Sequence, residues 1–275
     1  MLLAVPNVSE GRDGASIEAI GAAFCSAARL LDVHSDPDHH RSVFTLAAQP
    51  GALADGVLAG AAEAVARIDL RVHAGVHPRV GALDVAPVVY LQEADRGAAV
   101  AEALVLADRL GEELELPVYL YGDLAFDGRT RAQLRRPGAL VGLEPDFGPR
   151  ALHPTAGAVL VAARSPLVAF NVELALPATL ADAKRIAAEV RELPGVRALG
   201  VALAHAGAVQ VTTNLEGETT PAQLVAAVRR HAEVARAELV AMAPEVAFAG
   251  FPAEVPMPGF DPARQLIERA IATYT

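Results

Sequence analysis

Residues 30–46 read LLDVHSDPDHHRSVFTL, and how this stretch divides decides the fold. The runs at 30–33 and 43–46 are short and apolar, so each is expected as a strand. Between them HSDPDHHR is polar and holds a proline between two aspartates, the composition of a turn. This strand pair is the centre of a longer pattern. Upstream, 2–5 is a short strand, and Ile17, Ile20 and Phe24 recur at helical spacing behind a cap at Asp13 or Ser16. Downstream, Leu53, Val57, Leu58, Val65 and Ile68 mark a second helix, and LDVAPVVYL at 83–91 closes the set as a strand. The order is βαββαβ.

A third helix over 95–114 and the apolar run PVYLY at 117–121 extend this pattern. The stretch 123–155 is rich in Gly and Pro and long for a mere connector, and such loops are commonly functional. After AVLVAA at 158–163 and PLVAFNVEL at 166–174 the pattern starts again. A Thr179-capped helix carries Ile186, Val190 and Leu193; strands at 196–203 and 208–215 join tightly at His205, Ala206 and Gly207. A helix start at Thr220–Pro221 leads to Leu224, Val228 and Leu239, followed by a strand near Val246 and a last helix near Leu266. The fold class predicted is α+β: two ferredoxin-like α/β lobes, 1–175 and 176–275, with facing sheets and a ligand groove between them.

The 275 residues suffice for two cores. The 53% hydrophobic content is swollen by alanine, and no stretch reaches the roughly 18 apolar residues of a spanning helix, so no membrane partner is expected. A net charge of −10 argues against a nucleic-acid surface. The start MLLAVPNVSEGRD has no basic leader, so no signal peptide is expected, and the lone Cys25 fits a reducing cytoplasm.

The densest chemical cluster is HAGVHPRVGALD, from His73 to Asp84: two histidines, an arginine and an aspartate among chain breakers, just before a core strand. His73 and His77 are four apart, as zinc ligands on a helix would be, but Gly75 and Pro78 break helices and no HExxH glutamate is present. No metal is therefore expected. Acid/base use of one of these histidines is weighed against a turn whose rings merely bond the backbone. HSDPDHHR is either a solvated turn or a clamp in which Arg41 grips a carboxylate in bidentate fashion. NVSEG, opening at Asn7, is a strand-to-helix turn able to attract an anion. EPDFGPRALHPTAG, at 144–157, is a rigid loop able to cradle a flat ligand, followed after a strand by Arg164. No GxxxxGK[ST], strand-anchored GxGxxG or GxSxG is present, so ATP, nicotinamide and serine-hydrolase chemistries lack their signatures.

VPNVSEGR ending at Arg12, LLDV at 30–33, HPRVGALDV at 77–85, LPVYLYG at 116–122, PDFGP at 145–149 and AFNVEL at 169–174 together resemble the formiminotransferase family over nearly the whole chain. The resemblance implies facing α/β lobes around a folate tunnel, usually in a homodimer. It implies transfer of the formimino group of N-formimino-L-glutamate to N5 of tetrahydrofolate, the co-substrate, in histidine degradation. The family's catalytic histidine maps onto His77. Its folate-binding stretch maps onto Gly148, Pro149, Arg150, Ala151, Leu152, His153, Pro154, Thr155, Ala156 and Gly157.

Arg41, Arg79 and Arg164 are then candidates to hold carboxylates, and Asp84 to orient a histidine or cap a turn. Asn7, His34, His40 and Asn171 complete the expected substrate contacts. Departures from the family pattern at His34, His40, Val76, Glu173 and Ala163–Arg164 surround the site and bear on which donor is taken. The rival readings are a relative that uses another formimino or formyl donor or hydrolyses it, and a non-catalytic folate-binding protein.

Overall fold

The structure, a computed structural model, describes residues 1–75, 78–203, 207–217 and 219–273. It divides into two compact units, Met1–Ser165 and Pro166–Thr275. The chain switches sheets ten residues before the expected 175/176 boundary. The reason is strand pairing: the apolar run after Ser165 hydrogen-bonds only into the second sheet.

In the first unit the elements are β1 (Leu2–Ala4), β2 (Asn7–Val8), α1 (Gly14–Phe24), β3 (Arg29–Asp36), β4 (Arg41–Ala48), α2 (Leu53–Arg67), β5 (Leu83–Val89), α3 (Arg96–Leu114), β6 (Val118–Leu120), α4 (Arg131–Leu134) and β7 (Val159–Arg164). β1 and β2 are one strand interrupted at Pro6, which has no N–H to give to a ladder. Both segments pair antiparallel with β4 and β5, and β3 pairs with β4. The βαββαβ motif thus lies in the order last, first, third, second, and β7 and β6 extend it in parallel beyond β5.

The expected polar turn shrinks to 37–40, because β3 and β4 pair as far as Asp36 with Arg41. His34, Asp36 and Arg41 are therefore strand residues with fixed side-chain directions.

One face of this sheet is buried under α1, α2 and α3 in a core that includes Leu2, Ile20, Phe24, Phe44, Leu53 and Leu106. Asp13 caps α1 through Ala15, as its position before the apolar repeat predicts. Ala52 gives α2 no side-chain cap, and Glu102 of α3 supplies one from outside, accepting from Gly51 and Ala54 at 2.6 and 2.7 Å. The opposite face carries a smaller cluster of Val85, Tyr119, Tyr121, Ala158, Leu160 and Ala162, covered by Leu134, Leu140 and Leu143 from the long loop.

The second unit contains β8 (Leu167–Leu174), α5 (Leu180–Val190), β9 (Val196–Leu203), β10 (Ala208–Glu216), α6 (Pro221–Arg229), β11 (Val234–Val240), α7 (Pro262–Gln265) and α8 (Ile267–Ala272). Its sheet order, β11-β8-β10-β9, is the same last, first, third, second arrangement. Thr179 and Thr220 both form capping boxes, with Asp182 and Gln223. The closing strand is β11 and not a segment near Val246. Leu239 belongs to that strand, where it and Ala237 are buried, and Glu245–Phe248 is a single 3-10 turn. The joint at His205 and Ala206 lies outside the described residues. Among the described residues no helix is long and apolar enough to cross a membrane.

Candidate active site

Three segments distant in sequence meet at one end of the first sheet, where β4 and β5 begin. They are the turn at 9–13, the β3–β4 hairpin and the irregular residues 73–75 and 78–82. Ser9 ties the first to the third, with N–H to Ala82 O and hydroxyl to Gly81 O, both 2.8 Å. Ser42 ties the first to the second by donating to Glu10 O at 2.5 Å. Gly11 is required at this junction: a Cβ there would lie 2.4 Å from Asp36 O and 2.5 Å from Arg41 N.

The turn at 9–13 already holds an anion of its own. Glu10 Oε1 accepts the N–H groups of Gly11, Arg12 and Asp13 at 2.8, 2.7 and 3.0 Å. The expected anion attraction of NVSEG is therefore satisfied from within, and the Asn7 amide donates locally to Val5 O at 3.0 Å. Gly11 N–H also reaches His40 Nδ1 at 3.1 Å, which makes that ring nitrogen an acceptor. His40 sits in the left-handed region, φ 51°, so its ring leaves the hairpin toward segment 73–82. There it stacks on His73 with centroids 4.0 Å apart and planes 28° apart.

His73 Nδ1 is 2.6 Å from Arg79 Nη1, and Arg79 Nη2 donates to Gly75 O at 2.7 Å. The guanidinium has only donors, so His73 accepts and its proton resides on Nε2. Burial pushes the His73 imidazole down to about 4, with Arg79 and His40 adding to the shift. His40 is lowered too, by burial first, against the opposing pull of Glu10, with Arg12 and Arg79 lowering it further. Both rings are neutral near pH 7. On the outer side of the hairpin, Asp36 is held far below the usual carboxylate range by its bond to His39.

Asp84 stands at the centre of the positive groups. Asn7 pairs with Val85 and Val8 with Leu83, so Asp84 is the extra residue of a β-bulge. Bulges re-aim side chains, and this one sends a buried carboxylate to the N–H of Val80, 2.6 Å, and into an ion pair with Arg135. Of its two expected roles, orienting a histidine or capping a turn, the described residues show the cap, with Arg135 as a further partner. Arg41 faces the same group: desolvation brings its guanidinium down to about 10, Arg135 lowers it further and Asp84 opposes.

Beside this cluster a pocket of about 550 Å³ opens between 78–80, 134–141 and Leu152. Its walls are largely apolar, with Arg79, Arg135 and Arg136 as its charged side chains. Bounding residues are thus drawn from 78–80, the long loop and the stretch 148–157. His153 within that stretch is turned inward, its Nδ1 accepting from Ala156 N at 3.0 Å. Ala156 O and Val80 O in turn take the N–H groups of Ala82 and Ala158. Leu152 and its neighbours Gly148, Pro149, Arg150 and Ala151 are exposed.

The structure therefore gathers Arg41, Arg79, Asp84 and His40 at one end of the sheet. His77 and Val76, at the centre of the expected site, lie outside the described residues, between Gly75 and Pro78. His34 stands two pairs further along the hairpin than Arg41, opposite Val43. Arg164 is not brought in: it ends β7, whose other end abuts Ala158 and Val80, about 20 Å away at strand rise. Asn171 belongs to the second unit, where it donates to Glu238 at 3.2 Å. Glu10 and Arg135 carry no signal of their own in the sequence; His73 is expected there as an acid/base candidate, and the wall 134–141 lies within the stretch 123–155 expected to be functional. Among the described residues no three His, Cys, Asp or Glu side chains group as a metal site would require.

Fold and site define a two-unit α+β protein with an arginine-bearing pocket beside a histidine-rich junction. Residues 1–164 match the model of the formiminotransferase domain, N-terminal subdomain. The glutamate formimidoyltransferase of Thermoplasma acidophilum is 37% identical over 229 residues, covering 77% of this chain and 75% of that protein. The Streptococcus pyogenes enzyme of that name is 36% identical, covering 77% and 76%. The rat formimidoyltransferase-cyclodeaminase is 37% identical over 233 residues, and the match spans only 43% of its length. The chain belongs to the formiminotransferase family.

Proposed function

We propose that the protein transfers the formimino group of N-formimino-L-glutamate to N5 of tetrahydrofolate. The observation that carries this reading is the pocket, bounded at once by the HPR segment and by Leu152 of the stretch that the family resemblance assigns to folate. Apolar walls with arginines suit a flat, carboxylate-bearing molecule such as a folate. The names of the relatives point the same way.

In this reading the N5 lone pair attacks the formimino carbon and a new C–N bond forms. His77 takes the proton that N5 must lose and returns it to the glutamate nitrogen as the old C–N bond breaks. Arg79, with Arg135 and Arg136 beside it in the pocket, holds carboxylates; Arg41, outside the lining, adds positive charge that Asp84 partly offsets. The stretch from Gly148 to Gly157 lies along the folate. The setting that accompanies the reading is a homodimer, supported by the family resemblance and testable by ultracentrifugation, in the reducing cytoplasm that the lone Cys25 fits, testable by cell fractionation.

The test is turnover of N-formimino-L-glutamate with tetrahydrofolate, followed by mass spectrometry of the folate product. His77→Ala is expected to lower kcat by about 10²- to 10⁴-fold. No product from the wild type sinks the transfer reading, and a fully active His77→Ala sinks the acid/base assignment.

A further inference from the structure

The stacked His40–His73 pair has no role in the chemistry above, yet it occupies the junction between the hairpin and the segment that leads into the HPR motif. Four contacts define its place. His40 Nδ1 accepts from Gly11 N at 3.1 Å, the rings stack at 4.0 Å, Arg79 donates to His73 Nδ1 at 2.6 Å, and the same guanidinium donates to Gly75 O at 2.7 Å. Gly75 itself lies so close to the hairpin that a Cβ would be 2.8 Å from His39 O and from the His40 Cβ. The segment is thus pressed against the hairpin, with the two rings as the contact.

We propose that His40 and His73 are positioning residues for Arg79: two neutral stacked imidazoles seat segment 73–75 on the hairpin and hold the guanidinium at the pocket. This inference rests on the reading of the pocket as the site of an anionic substrate. It assigns neither ring a proton transfer.

The arrangement needs an unprotonated Nδ1 on both rings. A proton on His73 Nδ1 would face the Arg79 cation, and one on His40 Nδ1 would displace the Gly11 N–H. The charged groups around His73 are Arg79 and Glu10, with the His40 ring against it; those around His40 are Glu10, Arg12 and Arg79. Glu10 is the one anion among them: its Oε1 takes three backbone N–H groups and also lies 3.3 Å from His40 Nδ1, where it opposes, without outweighing, the burial that keeps the ring neutral.

Substitutions separate positioning from mere support. His73→Asn keeps an acceptor near the Nδ1 position, and His73→Leu removes it. His40→Asn keeps an acceptor for Gly11 and tolerates a positive φ, but lacks the ring. With turnover as the readout, His73→Leu is expected to raise KM for tetrahydrofolate or for the formimino donor about tenfold, with kcat nearly unchanged. His73→Asn falls between it and the wild type, and His40→Asn shifts KM in the same direction. A purely structural role lowers the active fraction, hence apparent kcat, and leaves KM alone; that result, or unchanged constants in all three variants, overturns the proposal.

A second measurement does not depend on the reaction. Ring 15N spectra of the wild type are expected to show His73 protonated at Nε2 alone at pH 6, and Arg79→Gln to move its titration upward. A His73 ring carrying its proton on Nδ1, or titrating alike with and without Arg79, overturns the proposal even where turnover is absent. Absent turnover with the expected spectra instead counts against the transfer reading.

Discussion

Asp84 and Arg135, 51 positions apart, form the ion pair that ties the HPR segment to the wall of the pocket, with side chains 2% and 12% exposed. The same carboxylate accepts Val80 N–H, so one buried group fixes both the turn before β5 and the loop after α4. Removing one partner of a buried pair costs about 3–5 kcal/mol, because the remaining charge is left uncompensated. Asp84→Ala is expected to lose that much stability in urea denaturation. Asp84→Leu with Arg135→Met should recover part of it, though not all, since Val80 still lacks its acceptor and Arg41 its counter-charge. A loss under about 1 kcal/mol for Asp84→Ala would show that the pair does not anchor the segment.

Acid should loosen this end of the sheet before the rest. His73 goes from 6.5 unfolded to about 4 folded, so between those values the unfolded chain binds a proton that the folded chain does not. Its contribution is fully present above 6.5 and is lost as pH falls toward 4. His40 shifts in the same direction, and Asp36, depressed when folded, loses its contribution at still lower pH. Unfolding free energy measured from pH 7 to 4.5 should therefore fall more steeply in the wild type than in His73→Asn. Parallel curves would remove His73 as the cause.

Gly11 and Gly14 lie three residues apart and make opposite demands. A Cβ on Gly11 would strike backbone atoms of Asp36 and Arg41, whereas one on Gly14 meets nothing within 4 Å. Backbone cannot step aside as a flexible side chain can, so Gly11→Ala is expected to cost about 1–3 kcal/mol or more. Gly14→Ala, in the first turn of α1, should be neutral or slightly stabilising. Thermal denaturation of the two variants side by side decides it, and equal melting temperatures would contradict the packing of the turn into the hairpin.

Periodicity and capping made most of the fold legible, because they are local signals. Thr179 and Thr220 mark their helices from the position just before the first turn, and the apolar spacing of Ile17, Ile20 and Phe24 places α1. The errors fall where pairing between distant segments overrides local composition. HSDPDHHR has the residues of a turn, yet half of it is drawn into strands by its partners across the hairpin. The closing strand of the second unit is expected near Val246 because Leu239 also falls on the helical spacing that starts at Thr220, and with alanine at 235 and 237 the alternation in β11 is too weakly apolar to compete.

The site divides in the same way. The density of His73–Asp84 was visible, but the bulge that re-aims Asp84 arises from register with β2, and Arg135 is its partner only after 51 residues fold back. The pocket wall does carry one local signal, the Thr130–Gln133 capping box with Arg135 and Arg136 two and three residues past Gln133.

Arg136 gives the most direct test of what enters the pocket. It is exposed, and among the described residues its guanidinium has no acidic partner. No acidic side chain lines the pocket either. Surface substitutions of this kind usually change stability by under about 0.5 kcal/mol, so folding should be untouched. An anionic substrate entering past a reversed charge would instead bind more weakly. Arg136→Glu is expected to raise KM about tenfold at low salt and Arg136→Gln less, both differences shrinking as added salt screens the charge. Steady-state kinetics at two salt concentrations, with melting temperatures as the control, measure this. A KM indifferent to the charge at 136 would place the anionic substrate elsewhere on the protein.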